Sequence, residues 1–123
     1  MSQMEQDLQQ VEISLQEAKS QVELAAALQR LHDNADFKKV ILSGYFEKEA
    51  QRSVMLKYDI NYVGEENQTM IDNVIAGIGM LGQYFHKIFV LGEQAHQALV
   101  ADEQTREEIL QEQLTAESEN LVN

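Results

Sequence analysis

The stretch MEQDLQQVEISLQEAKSQVELA, residues 4–25, decides the fold. Its apolar residues fall at Met4, Leu8, Val11, Leu15, Ala18, Val22 and Ala25, an unbroken alternation of four-residue and three-residue steps. A mean spacing near 3.5 is the seam of a coiled coil, narrower than the apolar stripe of an ordinary surface helix. Beyond Ala25 the apolar residues regroup as Leu24, Leu28 and Leu31, and the helix is expected to broaden its apolar face there.

Working outward, the chain of 123 residues contains no proline, so long helices meet few breakers and turns must come from Asn, Asp and Gly. Asp33 and Asn34 are placed to cap a following helix by accepting from its free amides. The second helix is expected over about 35–57. Its apolar positions, from Phe37, Val40 and Ile41 to Val54, Met55 and Leu56, spread around more than half the circumference, as in a helix touching neighbours on two sides. Residues 58–67 break the period, with Asn61, Gly64 and Asn67, and read as a loop packed across the helix ends.

The third helix is expected over about 68–114. It repeats the four-three pattern at Ile71, Val74, Ile78, Leu81, Phe85, Ile88, Gly92, Ala95 and Leu99. The seam then meets Asp102 and Arg106, recovers at Ile109, Leu110 and Leu114, and gives way to an acidic, frayed tail at 116–123. Gly77, Gly79, Gly82 and Gly92 lie inside this helix. Each costs about 1 kcal/mol against alanine, which close approach of another backbone would offset.

The expected architecture is therefore all-α, with three helices in one domain over 1–115. The long first helix (about 3–32) and third helix pack as an antiparallel hairpin around the shorter middle one. The seams serve equally for pairing within a chain or between chains, since the spacing is common to both.

Composition narrows the function classes. The formal charge is −12, with acids concentrated at the ends. That balance opposes binding to a phosphate backbone and speaks first to solubility. The chain has no cysteine, hence no disulfide and no thiolate metal site. The first twenty residues lack the basic and apolar regions of a signal peptide, and Val74 to Leu81 is too short an apolar run to span a bilayer. No membrane partner is expected.

A search for chemistry returns little. His32, His86 and His96 lack the spacing of a helical metal clip. Ser43-Gly44 has no strand-to-helix elbow around it. Gly77, Gly79 and Gly82 formally spell G-x-G-x-x-G, but they continue a helical seam where a dinucleotide fingerprint needs a preceding strand. No catalytic residue, metal or cofactor is expected. The candidate residues are instead for protein contact: Met4, Leu8, Val11 and Leu15 on the first seam, Tyr45 and Phe46 on the middle helix, Gly77 and Gly82 on the third, and Ile109 with Leu114 near its end.

The run LQRLHDNADFKKVILSGYFEKEAQRSV, residues 28–54, with Gln83-Tyr84-Phe85 downstream, resembles a family of small helical proteins encoded by tailed bacteriophages. The resemblance covers about residues 24–110, and DFKKVILSGYFEKEAQR is its most specific part. Relatives often have proline just after the asparagine, where this chain has Ala35. Members are encoded near capsid and portal genes, mostly without assigned activity. The resemblance implies a viral setting, in host cytoplasm or virion. The first expectation is a non-enzymatic structural or assembly protein, a homo-oligomer or a partner of capsid or portal subunits. The alternative is a phage-encoded inhibitor of a host enzyme.

Overall fold

A computed structural model describes residues 2–122. It is all-α with three principal helices, and no strand occurs among the described residues. α1 spans Gln3–Asp33. α2 occupies 35–57 in three consecutive pieces: a turn at Ala35–Phe37, a π-helical stretch at Lys38–Glu49, and an α-helical end at Ala50–Lys57. α3 spans Glu65–Val122. Contacts cluster into two compact units, so the domain expected over 1–115 is described in two parts. One comprises α1 up to Ala25 with α3 from Val90, and the other comprises Ala26–Phe89.

In the first unit, α1 and α3 run antiparallel. Glu12 faces Arg106, Ser14 faces Asp102, and Gln21 and Ala25 face Gly92, so numbers rise along one helix as they fall along the other. The seam read from the sequence is the packed line: Leu15, Ala18 and Ala95 are buried, while Met4, Leu8, Val11, Val22 and Leu99 are half-buried. Leu15, only 2% exposed, contributes about 1.5–3 kcal/mol by leaving water. At Gly92 the helices lie close together. A Cβ on it would lie 2.5 Å from the Ala25 Cβ and 3.6 Å from the Gln21 carbonyl oxygen.

The polar residues that interrupt the α3 seam are met by polar partners on α1. The Ser14 hydroxyl donates to the Asp102 carboxylate, and Arg106 Nη1 donates to Glu12 Oε1 at 3.2 Å. The second pair is largely solvated and adds at most about 1 kcal/mol, but both pairs form in one alignment only. Ile109 is half-buried, Leu110 and Leu114 are exposed, and the helix does not end near Leu114. It continues through Val122 because TAESENLV contains no breaker, and Thr115 Oγ1 donates to the Gln111 carbonyl at 2.9 Å. The frayed tail expected at 116–123 is thus helical as far as Val122, and Asn123 lies outside the described residues.

In the second unit, α2 and the adjoining part of α3 are also antiparallel, from Phe37 against Phe85 to Lys57 against Asp72. Asn34 caps the start of α2, its side chain accepting from the Phe37 amide at 2.9 Å. The seam of α1 does not shift to Leu24 and Leu31, which are each 49% exposed. Of the three positions named for the moved seam only Leu28 is buried, three residues past Ala25, and half-buried His32 follows it against the rings of Phe37 and Phe89.

The wide turns of Lys38–Glu49 close by i→i+5 hydrogen bonding and carry an extra residue per turn. Six successive residues, 41–46, are consequently all half-buried. Gly44 belongs to this geometry. A Cβ there would sit 3.0 Å from the Lys39 carbonyl oxygen five residues back, so its close contact is with its own helix. Neighbours on two sides were expected for α2, but Val40, Val54 and Met55 are exposed.

Between α2 and α3, Asp59 caps a 3₁₀ turn at Ile60–Tyr62, and Gln68 Nε2 donates to the carbonyls of both Lys57 and Tyr62. The loop is held by these bonds; the side chains of Tyr58, Ile60 and Val63 face solvent. α3 starts at Glu65, earlier than expected, with Glu65 and Glu66 favourably placed against the positive end of the helix dipole.

An 18-residue window of α3 has a mean hydropathy of 1.4, of which 11% is buried, so by length and composition alone this helix is long and apolar enough to cross a membrane. The expectation from Val74–Leu81 is corrected on that point: Gln83, His86 and Lys87 interrupt the apolar run, but the apolar residues on either side keep the wider average high.

Gly92→Ala is expected to destabilise the fold by about 1–3 kcal/mol despite alanine's better helix propensity, since the added methyl has no room beside Ala25. Urea unfolding followed by circular dichroism measures it.

Candidate interaction surface

The residues expected to make contacts divide by where the fold uses them. Leu15 is spent inside the first unit, while Met4, Leu8, Val11 and Ile109 remain half-exposed along the same seam. Leu114 is 60% exposed. Around the Ser14–Asp102 pair an open groove is lined by Asp7, Val11, Ser14, Asp102 and Ile109. It brings together carboxylates and hydroxyls, with the Arg106–Glu12 pair one turn along the same two helices.

In the second unit, Tyr45 and Phe46 turn inward. Phe46 meets Phe85 edge-on with centroids 5.7 Å apart, and the same separation relates Tyr45 to Phe46. Phe85 in turn approaches Phe37, Tyr84 and His32, and His32 also meets Phe89 at 5.4 Å. Such tilted and edge-on pairs add about 0.5–1.5 kcal/mol each beyond the area they bury. His32 Nδ1 lies 2.9 Å from the Leu28 carbonyl, which can only accept, so this nitrogen carries the proton. The ring is thereby committed to packing.

Gly77 and Gly82 are the floor of this cluster. The Tyr45 hydroxyl would touch a Cβ on Gly77 at 3.4 Å, and Phe46 Cε1 would touch one on Gly82 at 3.7 Å. Tyr45, Phe46, Gly77 and Gly82 therefore form one intramolecular contact. His86 and His96 are exposed, and no cluster of metal-ligating side chains occurs among the described residues.

What the second unit leaves open is apolar surface that sequence reasoning missed. On α2, Val54 and Met55 are 52% and 74% exposed. On α3, Met80 is 73% exposed and Tyr84 53%, with Ala76 and Gly79 beside them. The available signal on α3 was phase: Ala76, Gly79, Met80 and Tyr84 all fall off the seam line of Val74, Ile78, Leu81 and Phe85.

Compared with family models, with curated proteins and with solved structures, the chain matches none.

The two kinds of apolar residue are separable by mutation. Phe46→Ala is expected to cost about 3 kcal/mol in urea unfolding, because it removes a ring from the aromatic cluster. Met55→Ala should stay within about 0.5 kcal/mol of the parent.

Proposed function

We propose that this chain is a non-enzymatic assembly protein of a tailed bacteriophage, a virion component, scaffold or capsid or portal accessory that works by helix-to-helix association. The observation that carries the reading is the set of apolar side chains that the second unit leaves exposed, Met80 at 73% and Tyr84 at 53% on α3, and Val54 at 52% and Met55 at 74% on α2. Large apolar side chains left grouped at a surface commonly mark a contact with another macromolecule. The half-exposed heptad seam at Met4, Leu8 and Val11 supports the same reading, since such a line accommodates a further helix. The viral setting draws its support from the resemblance carried by DFKKVILSGYFEKEAQR.

The exposed acids at the end of α3, Glu107, Glu108, Glu112, Glu117 and Glu119, keep individual chains apart in solution and favour a partner surface with basic character. Contacts made there weaken as salt rises; those made by Met80 or Met55 do not.

Mass spectrometry of purified particles of the encoding phage, with copy number, tests the proposal. Multiple copies per particle, or in procapsids, are expected. Absence from particles at every stage, together with recovery of one stoichiometric host enzyme in a pull-down, would overturn it in favour of an inhibitor.

A further inference from the structure

The inward face of α3 in the second unit, marked by Ile71, Ile78 and Ile88, is buried. The opposite face of the same turns presents Asp72, Ala76, Gly79, Met80, Gln83 and Lys87, all exposed. Two properties of that face go together.

First, Gly79 has no intramolecular justification. Gly77, Gly82 and Gly92 each have a neighbour against the position of a Cβ, but nothing lies within 4 Å of the one Gly79 would carry. A glycine in mid-helix weakens the helix, and here no contact inside the chain offsets that loss. Second, the face is self-complementary. Positions equidistant from the Gly79–Met80 bond pair Ala76 with Gln83, and Asp72 with Lys87. A two-fold axis through that bond, the operator relating two antiparallel copies of one helix, sets Asp72 of each copy against Lys87 of the other. It also leaves Gly79 at the crossing, where a missing side chain lets backbones approach. Asp72 Oδ1 is 2.5 Å from Lys57 Nζ, yet the Asp72 side chain is 58% exposed and its second oxygen remains available.

We propose that this face is a homodimer contact, in which two copies pair through antiparallel α3 helices crossing at Gly79. The inference rests on the reading of the chain as an assembly protein and names its first partner, a second copy. A lipid surface fits the face less well, because it carries Asp72, Gln83 and Lys87, and charged side chains are strongly disfavoured in hydrocarbon.

The chain has no cysteine, so single cysteines report cleanly. Under mild oxidation Gly79→Cys should yield a disulfide-linked dimer, while Val40→Cys, at a position 63% exposed on α2, should not. Light scattering of the parent chain should give twice the chain mass of 14.0 kDa. Gly79→Leu should reduce it to once that mass while leaving the helical circular dichroism intact, since its side chain meets nothing within the chain. Lys87→Asp should weaken the dimer and adding Asp72→Lys should restore it.

A parent chain that stays monomeric at high concentration, with no link through Gly79→Cys, overturns the dimer; particle incorporation then still judges the assembly reading separately. A dimer indifferent to Gly79→Leu overturns the assignment of the surface. A monomer that floats with phosphatidylglycerol vesicles, and loses that binding in Met80→Glu, overturns it in favour of lipid.

Discussion

Keeping a single narrow line of side chains out of water is the constraint on which the structure depends. Along α1 the buried positions are Leu15, Ala18 and Leu28, and along α3 they are Ile71, Ile78, Ile88 and Ala95. Each line is too narrow to enclose a core of its own, so each needs an antiparallel helix opposite it. Small residues set how closely that can happen in the first unit. Gly92 against Ala25, with Ala18 and Ala95 buried nearby, brings backbones together where leucines would hold them apart. Close packing then makes the part-buried Ser14–Asp102 pair selective, because a slip along the seam would separate it, while the solvated Glu12–Arg106 pair marks the same alignment.

The second unit solves the same problem with bulk. Its α3 seam presents Phe85, and rings from α1 and α2 gather on it: His32, Phe37 and Phe46. Aromatic side chains reach further than leucine, so α2 can use wide π turns and still place Tyr45 and Phe46 on successive positions of one contact. Gly77 and Gly82 receive those rings, which explains why two glycines one helical face apart sit in the middle of a long helix.

Most of the architecture was legible from spacing. The heptad positions expected from Met4 to Ala25 and from Ile71 to Leu99 are the buried and half-buried ones, and Asn34 caps α2 through its side chain. Three features were not legible, for identifiable reasons. The π turns depend on carbonyl geometry around Lys39 and Gly44, which no side-chain period encodes. The length of α3 depended on whether an acidic, apolar-poor segment would stay helical, and absence of proline and glycine after Gly92 outweighed the loss of a seam. The exposed face around Gly79 was hidden among neighbouring glycines: Gly77, Gly79 and Gly82 look alike in a sequence, and only the contact each makes tells them apart.

The π-helical stretch Lys38–Glu49 has a consequence for how such a chain can vary in length. An ordinary helix that gains or loses one residue rotates everything beyond it by more than a quarter turn and throws its packed face out of alignment. A stretch already carrying extra residues in its turns can shed one by tightening locally to α-helix, leaving Phe37 on one side and Lys57 on the other still facing α3. α1 and α3 have no such slack: a single added residue there would turn the seam towards water.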